Sequence, residues 1–391
     1  MKFDFDKVVD RHGTKCLKYD FAKERGRSDD MLPLWVADMD FPTAPGIQKS
    51  LSDAVAHGIY GYSEGKDDYF QAAAGWYEKH FGWKVEKEWL IKTPGVVFAL
   101  AMAVKAYTKE GDAVLLQQPV YYPFSEVITD NHRRLINSPL QQIDGHYEIN
   151  FEEFEQKIVE ENAKLFLMCS PHNPVGRVWK EWELRKIGDI CLKHNVLVVS
   201  DEIHSDFTYG ENIHHVFASL DEKYAAITTT CTAPSKTFNI AGLQISNIWI
   251  SNPELRARFR AEVTAAGYSQ VNLMGLVACQ AAYETGEEWL KELKIYLEGN
   301  LDYVRTFLKE NLPEIKLTEP EGTYLLWLDF KSLGMKEEQL KDLVENKAKL
   351  WLDSGAMFGP DGEGFERINI ACPREILKQA LTQLAESVHD R

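Results

Sequence analysis

Residues 113–116, 165–169, 196–200, 227–230 and 245–250 are short runs made almost wholly of apolar or β-branched side chains, and amphipathic stretches such as 124–129 and 183–193 lie between them. A strand that is apolar on both faces must be covered on both, and strands separated by helices pair side by side in one direction. The pattern therefore predicts an α/β fold, a mostly parallel sheet with helices on each face. Past residue 272 the texture changes. Helical periodicity extends over 273–285 and 287–310, a strand is expected at 324–330, a helix at 337–346, a strand at 367–371 and a closing helix at 374–388. This tail reads as a smaller α+β domain, and the first 45 residues, which show little regular pattern, are expected to pack on it. The expected division is an arm over 1–45, a large domain over 46–285 and a small domain over 286–391.

Length agrees with two cores, because single cores stop growing at roughly 250–300 residues and the chain has 391. Its 44 Lys and Arg against 60 Asp and Glu give a net charge of −16, which disfavours nucleic acid and anionic membranes as partners, since no basic patch is segregated from the rest. The first residues are charged and lack an apolar core, and the longest apolar stretch, 96–104, is about half of the ~20 residues that span a bilayer. A cytoplasmic location is expected. Cys16, Cys169, Cys191, Cys231, Cys279 and Cys372 are scattered with no C-x-x-C pair, as reduced thiols would be.

In an open α/β sheet, ligands bind beyond the carboxyl ends of the strands. Four polar segments follow apolar runs there: Ser170 to Gly176, containing Asn173-Pro174-Val175-Gly176; Asp201-Glu202-Ile203-His204; Thr232 to Asn239, containing Ser235-Lys236; and Thr93-Pro94-Gly95-Val96-Val97, which opens a helix reaching Tyr107. Taken singly, these are a turn, a cap, a solvated lysine and a helix start. One ligand would explain all four. It would carry a phosphate for the free amides of Gly95, Val96 and Val97, a basic ring nitrogen for Asp201, an oxygen for Asn173 and an aldehyde for Lys236. Pyridoxal 5′-phosphate has all of these groups.

At these residues the chain resembles the fold-type I pyridoxal-phosphate enzymes, the aspartate aminotransferase superfamily, over nearly its whole length. Asn173, Asp201 and Lys236 are separated by 28 and 35 residues, in the superfamily's order. Within it, the segments 33–41, 61–62, 93–97, 169–176, 200–206, 233–239 and 364–374 are most similar to the cystathionine β-lyase (C–S lyase) branch of MalY and PatB type. One departure from the aminotransferases is Gln244, eight residues after Lys236, where they usually carry an arginine for the cofactor phosphate; the lyase branch shares this loss.

The resemblance implies a homodimer acting on a small amino acid, with these roles. Lys236 holds the cofactor and, once freed, takes the Cα proton. Asp201 keeps the ring nitrogen protonated, Asn173 donates to the ring oxygen, Tyr121 stacks on the ring with Tyr122 as the competing choice, and His204 accompanies the Asp201 segment. The phosphate falls to Gly95, Val96, Val97, Thr232, Ser235 and a Tyr62 reaching over from the partner subunit. Arg367 would bind the substrate carboxylate, facing Val36 and Ala37, with Trp35 at the border. The implied reaction is α,β-elimination from L-cystathionine or related S-substituted cysteines, giving a thiol, pyruvate and ammonia. An aminotransferase on the same fold and a regulatory protein using the cofactor pocket are the alternatives. His204, His214 and His215 lack the partners of a metal site at usual spacing, so no metal is expected.

Overall fold

The computed structural model describes residues 2–390. Its central sheet has seven strands in the order Leu90–Thr93, Ser246–Trp249, Thr228–Thr232, Leu197–Asp201, Leu165–Cys169, Ala113–Leu116 and Arg134–Asn137. Ser246–Trp249 alone runs against the rest, antiparallel to both of its neighbours. Successive side chains of a strand point to opposite faces, and the consequence is visible in Leu197–Asp201. Val199 joins an apolar cluster with Leu100, Phe259 and Val263, while Val198 joins another with Phe154, Leu184 and Ile187. Helices Val96–Tyr107 and Pro253–Ala265 cover one face; Phe151–Glu161 and Glu181–Lys193 cover the other.

A second, four-stranded antiparallel sheet follows the order Lys316–Thr318, Leu325–Asp329, Phe365–Asn369, Asp353–Ser354. Strand Phe365–Asn369 begins two residues before the expected 367, because Glu366 and Arg367 are inside the ladder and their charges mask its start. The long helix Glu287–Asn311 is tied to the end of this sheet by Asn300, whose Nδ2 donates to Ile370 O and Cys372 O at 2.8 and 2.9 Å. The N-terminal segment packs against the same region. Phe5 lies edge-on to Trp289 with ring centroids 5.8 Å apart, and Leu32–Pro33 pairs in parallel with Leu350–Trp351.

Within the expected unpatterned beginning, Arg11 pairs with Asp38 and Asp40, both at 2.6 Å, and the fully buried Lys18 reaches Asp40 at 2.8 Å. Asn369 Nδ2 donates to Val36 O and Asp38 O at 2.7 and 2.6 Å. Arg11, Lys18 and Asn369 thus hold the stretch 36–40 as a loop over the sheet's rim. Helices Pro45–His57 and Asp67–Phe81, not expected from the apolar pattern, complete the architecture. Among the described residues, no helix is long and apolar enough to cross a membrane.

Candidate active site

The carboxyl ends of the parallel strands converge on one rim, so the segments that follow them meet there. Asn173 follows Leu165–Cys169, Asp201 ends its own strand, and Lys236 sits in the short helix Pro234–Thr237 after Thr228–Thr232. Leu90–Thr93 runs the same way, and Gly95 after it opens Val96–Tyr107. The turn after Asn173 needs its glycine. Gly176 has φ +72°, and a Cβ there would lie 2.9 Å from the Pro320 Cβ.

These segments enclose a cavity of about 430 Å³. Ala37, Gly95, Val96, Val97, Tyr121, Asn173, Asp201, His204, Ser235 and Lys236 from the expected set line it, joined by Gln244. No side chain caps the helix at Gly95, so its first amides are unsatisfied and present a positive helix end to the cavity. The Tyr121 amide donates to Asn173 O at 3.0 Å, which locks the tyrosine's loop to the asparagine's.

Two ionisable groups in the cavity are displaced from their ordinary behaviour. Asp201 is 6% exposed, and among the described residues its carboxylate accepts only from the Ile203 amide, at 3.1 Å. Burial, with Glu202 adding like charge, pushes it up to about 7 although that amide and Lys236 oppose the rise. Lys236 donates to Ala37 O at 2.8 Å, and burial, reinforced by Arg367, lowers it to about 8. Its amine thus has a far larger neutral, nucleophilic fraction near physiological pH than an ordinary lysine, although the protonated form still predominates. His204 is buried, with Nδ1 unpartnered, and burial with the nearby Lys236 and Arg367 keeps it well below the usual histidine range, hence neutral.

Other expected residues lie elsewhere. Thr232 is fully buried in the sheet; its hydroxyl donates to Asn247 O at 2.8 Å and accepts from Trp249 Nε1 at 3.0 Å, which leaves it turned away from the cavity. Arg367 stands behind Asn173, 2% exposed. It donates to Asn173 Oδ1 at 3.1 Å and Trp35 O at 2.9 Å, pairs with Asp353, and leaves its Nε unpartnered. Val36 contributes its carbonyl to Asn369, and Trp35 stacks on Trp351 at 4.5 Å. Tyr62 is 94% exposed, on the outer surface of the subunit. His214 bonds Glu202 at 2.9 Å, and among the described residues no three His, Cys, Asp or Glu side chains gather as a metal site would require.

Two residues at the site were missed in the sequence. Tyr324 donates to Ala37 O at 3.0 Å, giving the carbonyl that receives Lys236 a second donor. Asp353 is the counter-charge of Arg367; an aspartate inside Leu350-Trp351-Leu352-Asp353 was the one available signal.

The donor set fits pyridoxal 5′-phosphate. The buried carboxylate lacks a cation that a protonated ring nitrogen supplies, the uncapped helix end lacks an anion, and the amine is poised for an aldehyde.

Residues 29–384 match the family described as aminotransferase class I and II. The chain is 43% identical to cystathionine beta-lyase PatB of Bacillus subtilis, covering 97% of this chain and 98% of that protein. It is 34% identical to protein MalY of Escherichia coli over 99% of each. In three dimensions it is similar to cystalysin from Treponema denticola, whose structure contains a pyridoxal 5′-phosphate cofactor, with a TM-score of 0.96 and 39% identity over the full length of both chains.

Proposed function

The chain belongs to the aminotransferase class I and II family, fold-type I pyridoxal-phosphate proteins that are generally dimeric and act on small amino acids, and from that premise we propose that it is a C–S β-lyase. Its substrates are L-cystathionine or related S-substituted cysteines, and its products are a thiol, pyruvate and ammonia. The observation that carries this reading is the meeting, in one cavity, of a buried carboxylate without a cation and a lysine lowered to about 8. The full-length likeness to PatB supports elimination as the reaction.

Bound here, the cofactor supplies an electron sink conjugated to the substrate Cα. The chain's residues do the rest. Asp201 balances the ring nitrogen's charge, Asn173 donates to the ring oxygen, Tyr121 covers a ring face, and His204 packs beside them. Gly95, Val96 and Val97 offer amides to the phosphate, with Ser235 beside Lys236; Gln244, which also lines the cavity, brings no charge. Thr232 supports the Ser235-Lys236 segment that follows it from within the sheet. Arg367, whose Nε has no partner, receives the substrate carboxylate against the wall of Trp35, Val36 and Ala37. Lys236 takes the Cα proton. The Cβ–S bond then breaks, the thiolate leaves with the electron pair, and the released 2-aminoacrylate hydrolyses to pyruvate and ammonia.

Tyr62 is assigned to the partner subunit's cavity, a role supported by a tyrosine left 94% exposed beside exposed Ile59 and Tyr60. On the same reading, 1–45 is an arm, 46–285 the cofactor domain and 286–391 the small domain, in a cytoplasmic enzyme whose six cysteines are free thiols. The test is incubation of the cofactor-loaded protein with L-cystathionine, with and without an added keto acid. Homocysteine and pyruvate released without the keto acid support the lyase; turnover that requires it makes the protein an aminotransferase.

A further inference from the structure

The loop 36–41 carries the carbonyl that receives Lys236, and it is fastened to the lysine's own segment. Asn239, three residues beyond Lys236, uses its whole side-chain amide for this. Its Oδ1 accepts from the Met39 amide at 2.9 Å, and its Nδ2 donates to Met39 O and Phe41 O at 2.9 and 2.8 Å. Asn239 makes these bonds from the left-handed region, with φ +55°, a conformation costly for a residue with a Cβ. Thr43 adds a further tie, from its hydroxyl to Phe238 O at 2.6 Å. The helix Pro234–Thr237 is itself held by Thr237, whose hydroxyl donates to Asp206 at 2.6 Å. Ala37, two residues before Met39, is thereby kept within reach of the Lys236 amine.

The Ala37 carbonyl accepts twice, from Lys236 Nζ at 2.8 Å and from the Tyr324 hydroxyl at 3.0 Å. An acceptor bonded to an amine favours its protonated form, because the ammonium is the stronger donor. A second donor on the same oxygen draws on the same electrons and weakens that preference. The charges around the amine are Arg367, which opposes a proton there, and Asp38 and Asp201, which favour one; His204 and Tyr121 also line the cavity. Among the described residues, none of these side chains hydrogen-bonds to the side chain of Asn239 or Tyr324. We propose that Asn239 and Tyr324 are positioning residues for Lys236: Asn239 fixes the Ala37 carbonyl as the seat of the free amine, and Tyr324 sets how strongly that seat retains the amine's proton. The seat keeps the amine in the cavity while it is free, the state in which it meets incoming cofactor. This rests on the reading of Lys236 as the cofactor's lysine.

The test is the rate at which cofactor-free protein takes up pyridoxal phosphate, followed against pH by the growth of the visible band in wild type, Asn239→Gly and Tyr324→Phe. The cofactor's own titration is common to all three and cancels. Glycine adopts φ +55° without strain, so Asn239→Gly removes the three bonds and leaves the backbone path open. With the seat loosened, the ammonium loses its acceptor, and the half-maximal pH should fall by about one unit, the size of one hydrogen bond to a charged group. Tyr324→Phe keeps the ring that lies edge-on to Phe207 and leaves the seat to Lys236 alone, so the half-maximal pH should rise. A merely structural part would slow uptake at every pH without moving the midpoint. Opposite shifts in the two folded variants uphold the proposal; any other pair of results overturns it. Should Asn239→Gly fail to fold, Tyr324→Phe decides alone, an upward shift upholding the seat and any other result removing it. Borohydride reduction of the loaded proteins distinguishes the two levels. Cofactor still fixed to the chain in Lys236→Ala refutes Lys236 as the cofactor's lysine; cofactor fixed only where Lys236 is present, without the opposite shifts, refutes the seat alone.

Discussion

Replacing Asp201 by Asn should stabilise the cofactor-free protein and destabilise the loaded one. In the cofactor-free fold the Asp201 carboxyl sits at about 7, against an ordinary value of 3.8. The folded state therefore holds a proton that the unfolded chain has lost, and stability falls as pH rises from about 4 to 7, with the full penalty above 7. That gap of about three pH units, at about 1.4 kcal/mol each, is worth on the order of 4 kcal/mol, an upper figure because water and side chains relax around the charge. Asn keeps the shape and the acceptor for the Ile203 amide while removing the charge. Urea unfolding of cofactor-free wild type and Asp201→Asn at about pH 5 and pH 8.5 is the assay. The variant should gain at pH 8.5 and gain much less at pH 5. With pyridoxal phosphate bound, the order should reverse, because the wild-type carboxylate then has its cation. A variant no more stable than wild type at pH 8.5 without cofactor would refute the account of Asp201 as a carboxylate awaiting a positive ring.

Three further outcomes follow from the same geometry. Because Lys236 is lowered to about 8, the rate of pyridoxal phosphate uptake by cofactor-free protein, followed by the growth of its visible absorption band, should rise with pH and be half-maximal near that value; a rate flat across the range would remove the neutral amine from the process. Asp353→Ala leaves the Arg367 guanidinium buried without its counter-charge and should cost about 3–5 kcal/mol in urea unfolding, whereas an exposed pair such as Lys49 with Asp53 should cost under about 1 kcal/mol when broken. If Tyr62 completes the partner's cavity, Tyr62→Ala and Lys236→Ala proteins, each impaired alone, should regain activity when unfolded, mixed and refolded, since a hybrid dimer holds one intact site; no recovery in isolated hybrids would confine Tyr62 to its own subunit.

The central strands were legible because they are buried on both faces. Ala113–Leu116 and Leu165–Cys169 coincide with the expected runs, since nothing polar interrupts them. The outer strands were not, because solvent on one side admits polar side chains: Leu90–Thr93 contains Lys92, and Arg134–Asn137 begins and ends with polar residues. The site was legible wherever a polar residue follows an apolar strand, as with Asn173, Asp201 and Lys236. What stayed hidden depends on the register between distant strands. Asp353 meets Arg367 because Asp353–Ser354 lies antiparallel to Phe365–Asn369, and Tyr324 meets Ala37 across more than 280 residues of chain. Thr232 shows the converse, a hydroxyl in the right segment whose side chain is satisfied within the sheet.

The proposed assignment gives Lys236 the removal of the Cα proton in the active site from which the thiolate leaves. It is tested most directly by measuring pyruvate, ammonia and homocysteine released from L-cystathionine by the loaded wild type and by Lys236→Ala. Equal amounts of all three are expected from the wild type with no keto acid present, and essentially none from the variant. Homocysteine without matching pyruvate, or undiminished release by Lys236→Ala, would contradict it.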